Sequence, residues 1–307
     1  MRKLVFISCL FAIPLGITAQ LLPGYSQYIY NGLILNPAYA GSGGQLSFMA
    51  IGREQWTGIP GSPSTQSVFL HAPSGNLRSG FGLAVVNDKM AVSSVTDVSV
   101  SYAYRIPFDD QTSLSFGLKG TICHAITSLS SVRTGEGNDN AFTGQDQNVW
   151  IPDAGAGIYM DGPDYFLGIS VPQLLELSAI GNPANSVEFS YRRHFLFTGG
   201  MTFSLGNDVE LQPFALLKYA VNFPVSANLN ANLKIKDRLI LGTGYRTDDA
   251  WITNIQWIVS KNFRFGYSYD FPLGIFGPFR SGSHELMLAA DMIFTKRSRI
   301  SPRGLGR

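Results

Sequence analysis

Residues 225–236 read "VSANLNANLKIK". Val225, Ala227, Leu229, Ala231, Leu233 and Ile235 alternate with Ser226, Asn228, Asn230, Asn232, Lys234 and Lys236, so an extended chain has one apolar face and one polar face. The same period of two returns in "VSVSYAYR" (98–105), where Val98, Val100, Tyr102 and Tyr104 oppose Ser99, Ser101, Ala103 and Arg105. It returns in "NFRFGYSYDF" (262–271), with Arg264 and Asp270 on the small, polar face, and in "HELMLAADMIF" (284–294), with Glu285 and Asp291 on one side. Segments of about ten residues with this alternation are the mark of strands that meet lipid on one face and water on the other.

The pattern predicts strands near 45–56, 65–72, 78–88, 91–106, 112–126, 152–161, 164–171, 187–204, 208–219, 224–236, 238–248, 250–260, 262–271 and 283–294. Fourteen is an even number, as bacterial single-chain barrels usually require. Long connections, near 57–64, 127–151, 172–186 and 272–282, all fall on one side, and short ones such as "LGND" and "KDR" on the other. That asymmetry places the long connections outside the cell and both termini in the periplasm. Charged residues are 14% of the chain, against about a quarter in soluble domains, which argues against the competing reading of a soluble β-sandwich or propeller. The expected fold is therefore all-β: an outer-membrane transmembrane β-barrel of about 14 antiparallel strands over 45–294.

The ends of the chain support an exported protein. "MRKLVFISCLFAIPLGITAQ" sets Arg2 and Lys3 before an apolar run, so residues 1–19 are expected to be a signal peptide. Cys123 is then the only cysteine, and no internal disulfide is available. Residues 20–44 form a preface before the first strand, and 295–307, "TKRSRISPRGLGR", a basic periplasmic tail. A formal charge of +2 gives no reason to expect nucleic acid.

No metal, cofactor or catalytic site is expected. His71, His124, His194 and His284 share no ligand spacing, and neither a nucleophile elbow nor a phosphate loop occurs. A lateral Ser–His pair drawn from His124 with Ser113 or Ser115 is the enzymatic alternative. Glu285, Asp291, Arg264 and Lys234 fall on inward faces, where opposite charges pair or line water. The loop 127–151, carrying Arg133 and tipped by Trp150, is long enough to be either a binding loop or a solvated cover.

The preface carries "YSQYIYNGLILNPAYAGS" (25–42). Asn36-Pro37 restrains the backbone to an extended form before the proline, and Gly41, Gly43 and Gly44 permit a sharp entry into the first strand. Its tyrosines suit an inward-facing segment whose rings are buried while their hydroxyls bond, or an interfacial aromatic anchor. Together with "VNDKMAVSSVTDVSVSYAYRI", "LSFGLKG", "SVRTGEGNDNAF", "YFLGISVPQLLE" and "SGSHELML", this stretch resembles the PorP/SprF family of type IX secretion system membrane proteins, over about Gln27 to Phe294.

The resemblance implies a Bacteroidota outer membrane, support for type IX secretion and, in gliding species, export or surface attachment of large adhesins. It also implies partners: exported cargo or a surface adhesin, and the periplasmic ring and peptidoglycan-linked components of the machine. The family's motif maps onto Tyr25, Ser26, Gln27 and Tyr28 and, later, Asn36, Pro37, Ala38, Tyr39, Ala40, Gly41 and Ser42, of which Tyr25, Gln27, Tyr28, Asn36, Pro37 and Tyr39 join Arg133 and Trp150 as candidate structural or partner contacts. Tyr30-Asn31-Gly32 departs from the aromatic-Asn-Pro pattern expected there. A porin-like diffusion channel is the alternative function.

Overall fold

The computed structural model describes residues 24–109, 111–131, 146–180, 188–190, 192–247, 249–273 and 281–292. The expected signal peptide and basic tail, and Arg133, lie outside the described residues. Strands β1 (Leu46–Glu54), β2 (Ser64–Pro73), β3 (Ser79–Met90), β4 (Ser93–Pro107), β5 (Ser113–Thr127), β6 (Gln147–Asp161) and β7 (Tyr165–Val171) pair in sequence order. A small separate hairpin follows, β8 (Ser178–Ile180) with β9 (Glu188–Ser190). The wall resumes with β10 (His194–Met201), prolonged past Thr202 by β11 (Phe203–Ser204), both on β12 (Val209–Ala220). It ends with β13 (Ser226–Ile235), β14 (Leu239–Arg246), β15 (Ala250–Ile258), β16 (Phe263–Pro272) and β17 (Ser283–Met292).

With β11 counted as part of β10 and the β8–β9 hairpin set aside, fourteen antiparallel staves remain. Leu46 to Glu54 of β1 face Met292 to His284 of β17, which closes the ring. Closure leaves no edge in the hydrocarbon, where each unpaired backbone group is costly.

Alternation assigns the faces. In β15 Ala250, Ile252, Asn254, Gln256 and Ile258 point in, while Trp251, Ile255 and Trp257 point out. In β13 Asn228, Asn230, Asn232 and Lys234 point in and Leu229 and Leu233 out. Outward aromatics gather near both strand ends, Tyr219, Tyr245, Trp251 and Phe271 toward one rim and Phe81, Tyr104, Trp257 and Phe263 toward the other. Between them lie Leu83, Val100, Leu118, Ile255 and Leu288. Two aromatic girdles around an apolar band are what an outer-membrane barrel needs at its two interfaces.

One rim carries connections 55–63, 91–92, 128–146, 172–193, 221–225, 247–249 and 273–282, and is called the loop rim below. The other, the turn rim, carries 74–78, 108–112, 162–164, 205–208, 236–238 and 259–262, together with the start of β1 and the end of β17. At 236–238 Lys236 and Asp237 both have positive φ, 49° and 50°, the form that matches strand twist in a tight hairpin. Asp237 is held there by Lys234 Nζ at 2.6 Å.

Two strand limits differ from expectation by more than two residues. β6 starts at Gln147, not near 152, because "QNVWI" continues the ladder opposite Thr127 to Cys123. Trp150 is thus an outward residue of a strand and not the tip of a loop. The segment expected as one strand from 187 begins at His194, and residues 188–190 belong to the hairpin, whose strands pair with each other and not with the wall.

Candidate functional site

Residues 24–44 occupy the lumen. Glycine, proline and asparagine recur too often for a long helix, and the chain instead makes three single turns, Tyr28–Tyr30, Gly32–Ile34 and Pro37–Tyr39. Asn31 Oδ1 accepts the Leu33 N–H at 3.0 Å, and Asn36 Oδ1 accepts the Ala38 N–H at 2.9 Å, so each asparagine starts the turn that follows it. Asn31-Gly32 therefore does the local work of Asn36-Pro37, which accounts for the departure from the motif at that place. Every residue from Tyr25 to Gly32 is buried. The tyrosines are inside the barrel, not at the headgroup level.

A charged cluster grips the head of this plug. Glu285 accepts two successive backbone donors, Ser26 N–H at 2.9 Å and Gln27 N–H at 2.7 Å. Ser26 Oγ donates to Asp270 at 2.6 Å. Arg53 spans both carboxylates, 2.7 Å from Asp270 and 3.2 Å from Glu285, and its side chain is 1% exposed. Arg246 bonds Asp270 at 3.2 Å and Asp249 at 2.8 Å, and donates to the carbonyls of Gly24 and Tyr25 at 3.1 and 3.2 Å. Two arginines thus share the buried Asp270 and Glu285, and Arg246 Nη2 also reaches plug backbone. Hydrogen-bonded charge pairs of this kind are tolerable in a dry interior because each ion has a partner.

The body of the plug uses side-chain hydroxyls and rings. Tyr28 Oη accepts from Asn230 Nδ2 at 2.7 Å, and Tyr30 Oη donates to Asn254 Oδ1 at 3.0 Å. Tyr25 meets Phe69 edge-on, and Tyr39 is wedged between His71 and Tyr159 with 5.3 Å between ring centroids on each side. His71 Nδ1 accepts the Gly41 N–H at 3.2 Å. Asn36 Nδ2 donates to the carbonyls of Ile158 at 2.8 Å and Ile169 at 3.3 Å, and Leu35 O accepts from Ser170 Oγ at 2.7 Å.

Close approach depends on inward glycines. A Cβ on Gly80 would collide with Ala40 O, on Gly117 with Ala38 N, on Gly157 with Asn36 Oδ1 and on Gly266 with Gln27 Oε1. These four lie on four different strands and form a track for the plug.

Of the candidate residues, Tyr25, Gln27, Tyr28, Asn36, Pro37 and Tyr39 meet in this lumenal site. Trp150 does not: it stacks on His124 outside the wall, 4.1 Å between centroids, with His124 Nε2 2.8 Å from Asn148 Oδ1. At the base of the 128–146 connection, the Ser130 hydroxyl and N–H bond the Asp146 carboxyl and hold it below the usual carboxylate range. The hydrolytic pair fails geometrically, since Ser113 and Ser115 face inward near the turn-rim end of β5 while His124 faces outward near its other end. The inward charges pair as expected: Arg264 with Asp291 at 2.8 Å, and Lys234 with Glu210 at 3.4 Å. Arg53, Arg246, Gly117 and Gly157 were not singled out by sequence. Their signal is inward parity, visible only once the faces are assigned.

Asn36→Ala should lower the unfolding free energy by about 1–3 kcal/mol, because two carbonyls and one N–H lose their partner in the interior. Urea unfolding of the refolded barrel, followed by tryptophan fluorescence, reads this directly. An unchanged midpoint would mean the asparagine contacts are not stabilising.

A plugged outer-membrane barrel with this motif has a counterpart among known families. The family of type IX secretion system membrane proteins PorP/SprF matches residues 17–290. The chain belongs to that family. As a PorP/SprF protein it is an outer-membrane component of the type IX secretion system. No curated protein matches it. Among solved structures it is similar to the CymD monoaromatic hydrocarbon channel, at 13% identity and TM-score 0.45, covering 90% of this chain and 94% of that one. It is also similar to Omp33 of Acinetobacter baumannii, at 7% identity and TM-score 0.44, covering 82% and 100%. A FadL homologue of Pseudomonas aeruginosa is likewise similar, at 10% identity and TM-score 0.44, covering 82% and 89%.

Proposed function

We propose that this PorP/SprF protein is a closed docking platform of the type IX machinery and not a conduit. The loop rim faces the cell exterior and holds an exported cargo protein or surface adhesin. The turn rim and basic tail face the periplasm, within reach of the ring and peptidoglycan-linked components. No bond is made or broken and no cofactor is used. The observation that carries this reading is the lumen plug, whose residues 25–32 are all buried and whose Ser26, Gln27, Tyr28 and Tyr30 are bonded to the wall. A filled lumen is at odds with a diffusion channel, which needs water from mouth to mouth.

Deleting the gene should trap specific cargo in the periplasm or release it unattached, while outer-membrane integrity is kept. Fractionation of cells, surface and medium with mass spectrometry checks this. Cargo found in its normal place in the deletion would refute the platform.

A further inference from the structure

We infer that the amino-terminal segment is threaded through the barrel, so that the mature amino terminus is presented on the loop rim and the two chain ends leave on opposite sides of the membrane. The inference rests on the proposed orientation only for which side is outside. That Gly24 and Met292 lie on opposite rims follows from the contacts alone.

The head of the plug is at the loop rim. The Gly24 carbonyl is bonded by Arg246, the last residue of β14, which is itself tied to Asp249 in the loop-rim connection 247–249. Ser26 and Gln27 are held by Glu285, the third residue of β17 from that rim, with Arg53, the penultimate residue of β1, beside it. Gly24 is the only residue between positions 24 and 33 that is not buried.

The tail of the plug is at the other rim. Ala40 and Gly41 rest on Gly80 and Pro73, which flank the turn-rim connection 74–78. Gly41 and Gly44, both with φ of 70°, then swing the chain into β1, which starts at that rim. Between head and tail the rings of Tyr28, Tyr30 and Tyr39 are buried against the wall. For the amino terminus to return to the turn rim, a second length of chain would have to pass these rings in a space they already fill.

β17 ends at Met292 opposite Leu46, so the last described residue lies at the turn rim. The expectation of two periplasmic termini treats the preface as if it lay where β1 begins. Threading instead divides the contacts by side. A partner that holds the amino-terminal end must be on the cell surface with the exported protein, and a periplasmic partner has the turns and the carboxyl-terminal tail.

The test places one epitope in each of three full-length chains in the native outer membrane: after Gln20 on a flexible Gly/Ser linker, at Gly61 in the first loop-rim connection, and after Arg307. A linker of about 15 residues reaches roughly 20 Å, enough to clear the rim. Each chain must retain its heat-modifiable migration. Antibody binding is compared on intact and permeabilised cells. The expected result is that the Gln20 and Gly61 epitopes bind on intact cells and the Arg307 epitope only after permeabilisation. An amino-terminal epitope that partitions with Arg307 and against Gly61 overturns threading, whichever rim is outside. Gly61 hidden with Arg307 exposed would overturn the orientation alone, and threading would then require the amino-terminal epitope to be hidden with Gly61.

Discussion

Removing residues 25–42 is expected to turn a non-conducting barrel into an ion-conducting pore in planar bilayers. The wall does not need the plug to close, because β1 and β17 pair along the full length of β1. Arg53, Asp270, Glu285 and Arg246 remain mutually paired without Ser26, so no buried ion is stranded. The surface uncovered is polar along β13, β15 and β16, where Asn230, Asn232, Asn254, Gln256 and Ser268 face inward. Such a surface wets readily once the tyrosines are gone, and fourteen staves enclose enough space for an aqueous path. The full-length protein should show no steady stepwise conductance, and the deletion should show discrete, near-ohmic steps. A deletion variant that keeps heat-modifiable migration and still does not conduct would mean that the loop-rim connections seal the lumen, and the plug would lose its assigned role.

The parts of this arrangement legible in the sequence are those written in a period of two. "VSANLNANLKIK" assigns its own faces, and Arg264, Asp270, Glu285 and Asp291 follow by parity. Local chemistry was legible in part: Asn36-Pro37 gave the extended backbone at Asn36 and "KDR" a short connection, while the turn at Pro37–Tyr39 and the positive φ of Lys236 and Asp237 appear only in the structure. Trp150 was misplaced because Gln147 to Ile151 carry weak alternation and follow a polar, glycine-rich run, so only pairing with β5 reveals the strand. The position of the preface was not legible, since a tyrosine-rich segment suits an interface as well as an interior. What distinguishes the two is the set Gly80, Gly117, Gly157 and Gly266, far apart in sequence and brought to one lumen by closure. In a strand read alone, each looks like an ordinary concession to tight packing. The pairing of Arg53 with Asp270 and Glu285 has the same origin, since residues 217 and 232 positions apart meet only because the last strand returns to the first.

Arg53→Met is expected to lower the unfolding free energy of the barrel by about 3–5 kcal/mol, the usual cost of leaving buried charge without its partner. Methionine fills much of the volume, so packing contributes little to the loss. Asp270 would keep Arg246 at 3.2 Å and the Ser26 hydroxyl, but among the described residues the Glu285 carboxylate would retain the two plug N–H groups and no cation within salt-bridge reach. Replacing all three, Arg53→Met with Asp270→Asn and Glu285→Gln, should recover most of this loss, because neutral amides need no counterion in a dry interior. Recovery should stop short of the parent. A glutamine at 285 presents one acceptor and one NH2 where the carboxylate presents two acceptors, so either Ser26 N–H or Gln27 N–H is left facing a donor. The deficit that persists in the triple variant therefore combines the hold of Glu285 on the plug head with the loss of the Arg246–Asp270 pair, after which Arg246 keeps Asp249 at 2.8 Å. Urea unfolding in the same detergent, with tryptophan fluorescence, compares the three proteins. If the single and triple variants fell by the same amount, the cluster would be acting through shape alone, and the electrostatic account of how the head is held would fail.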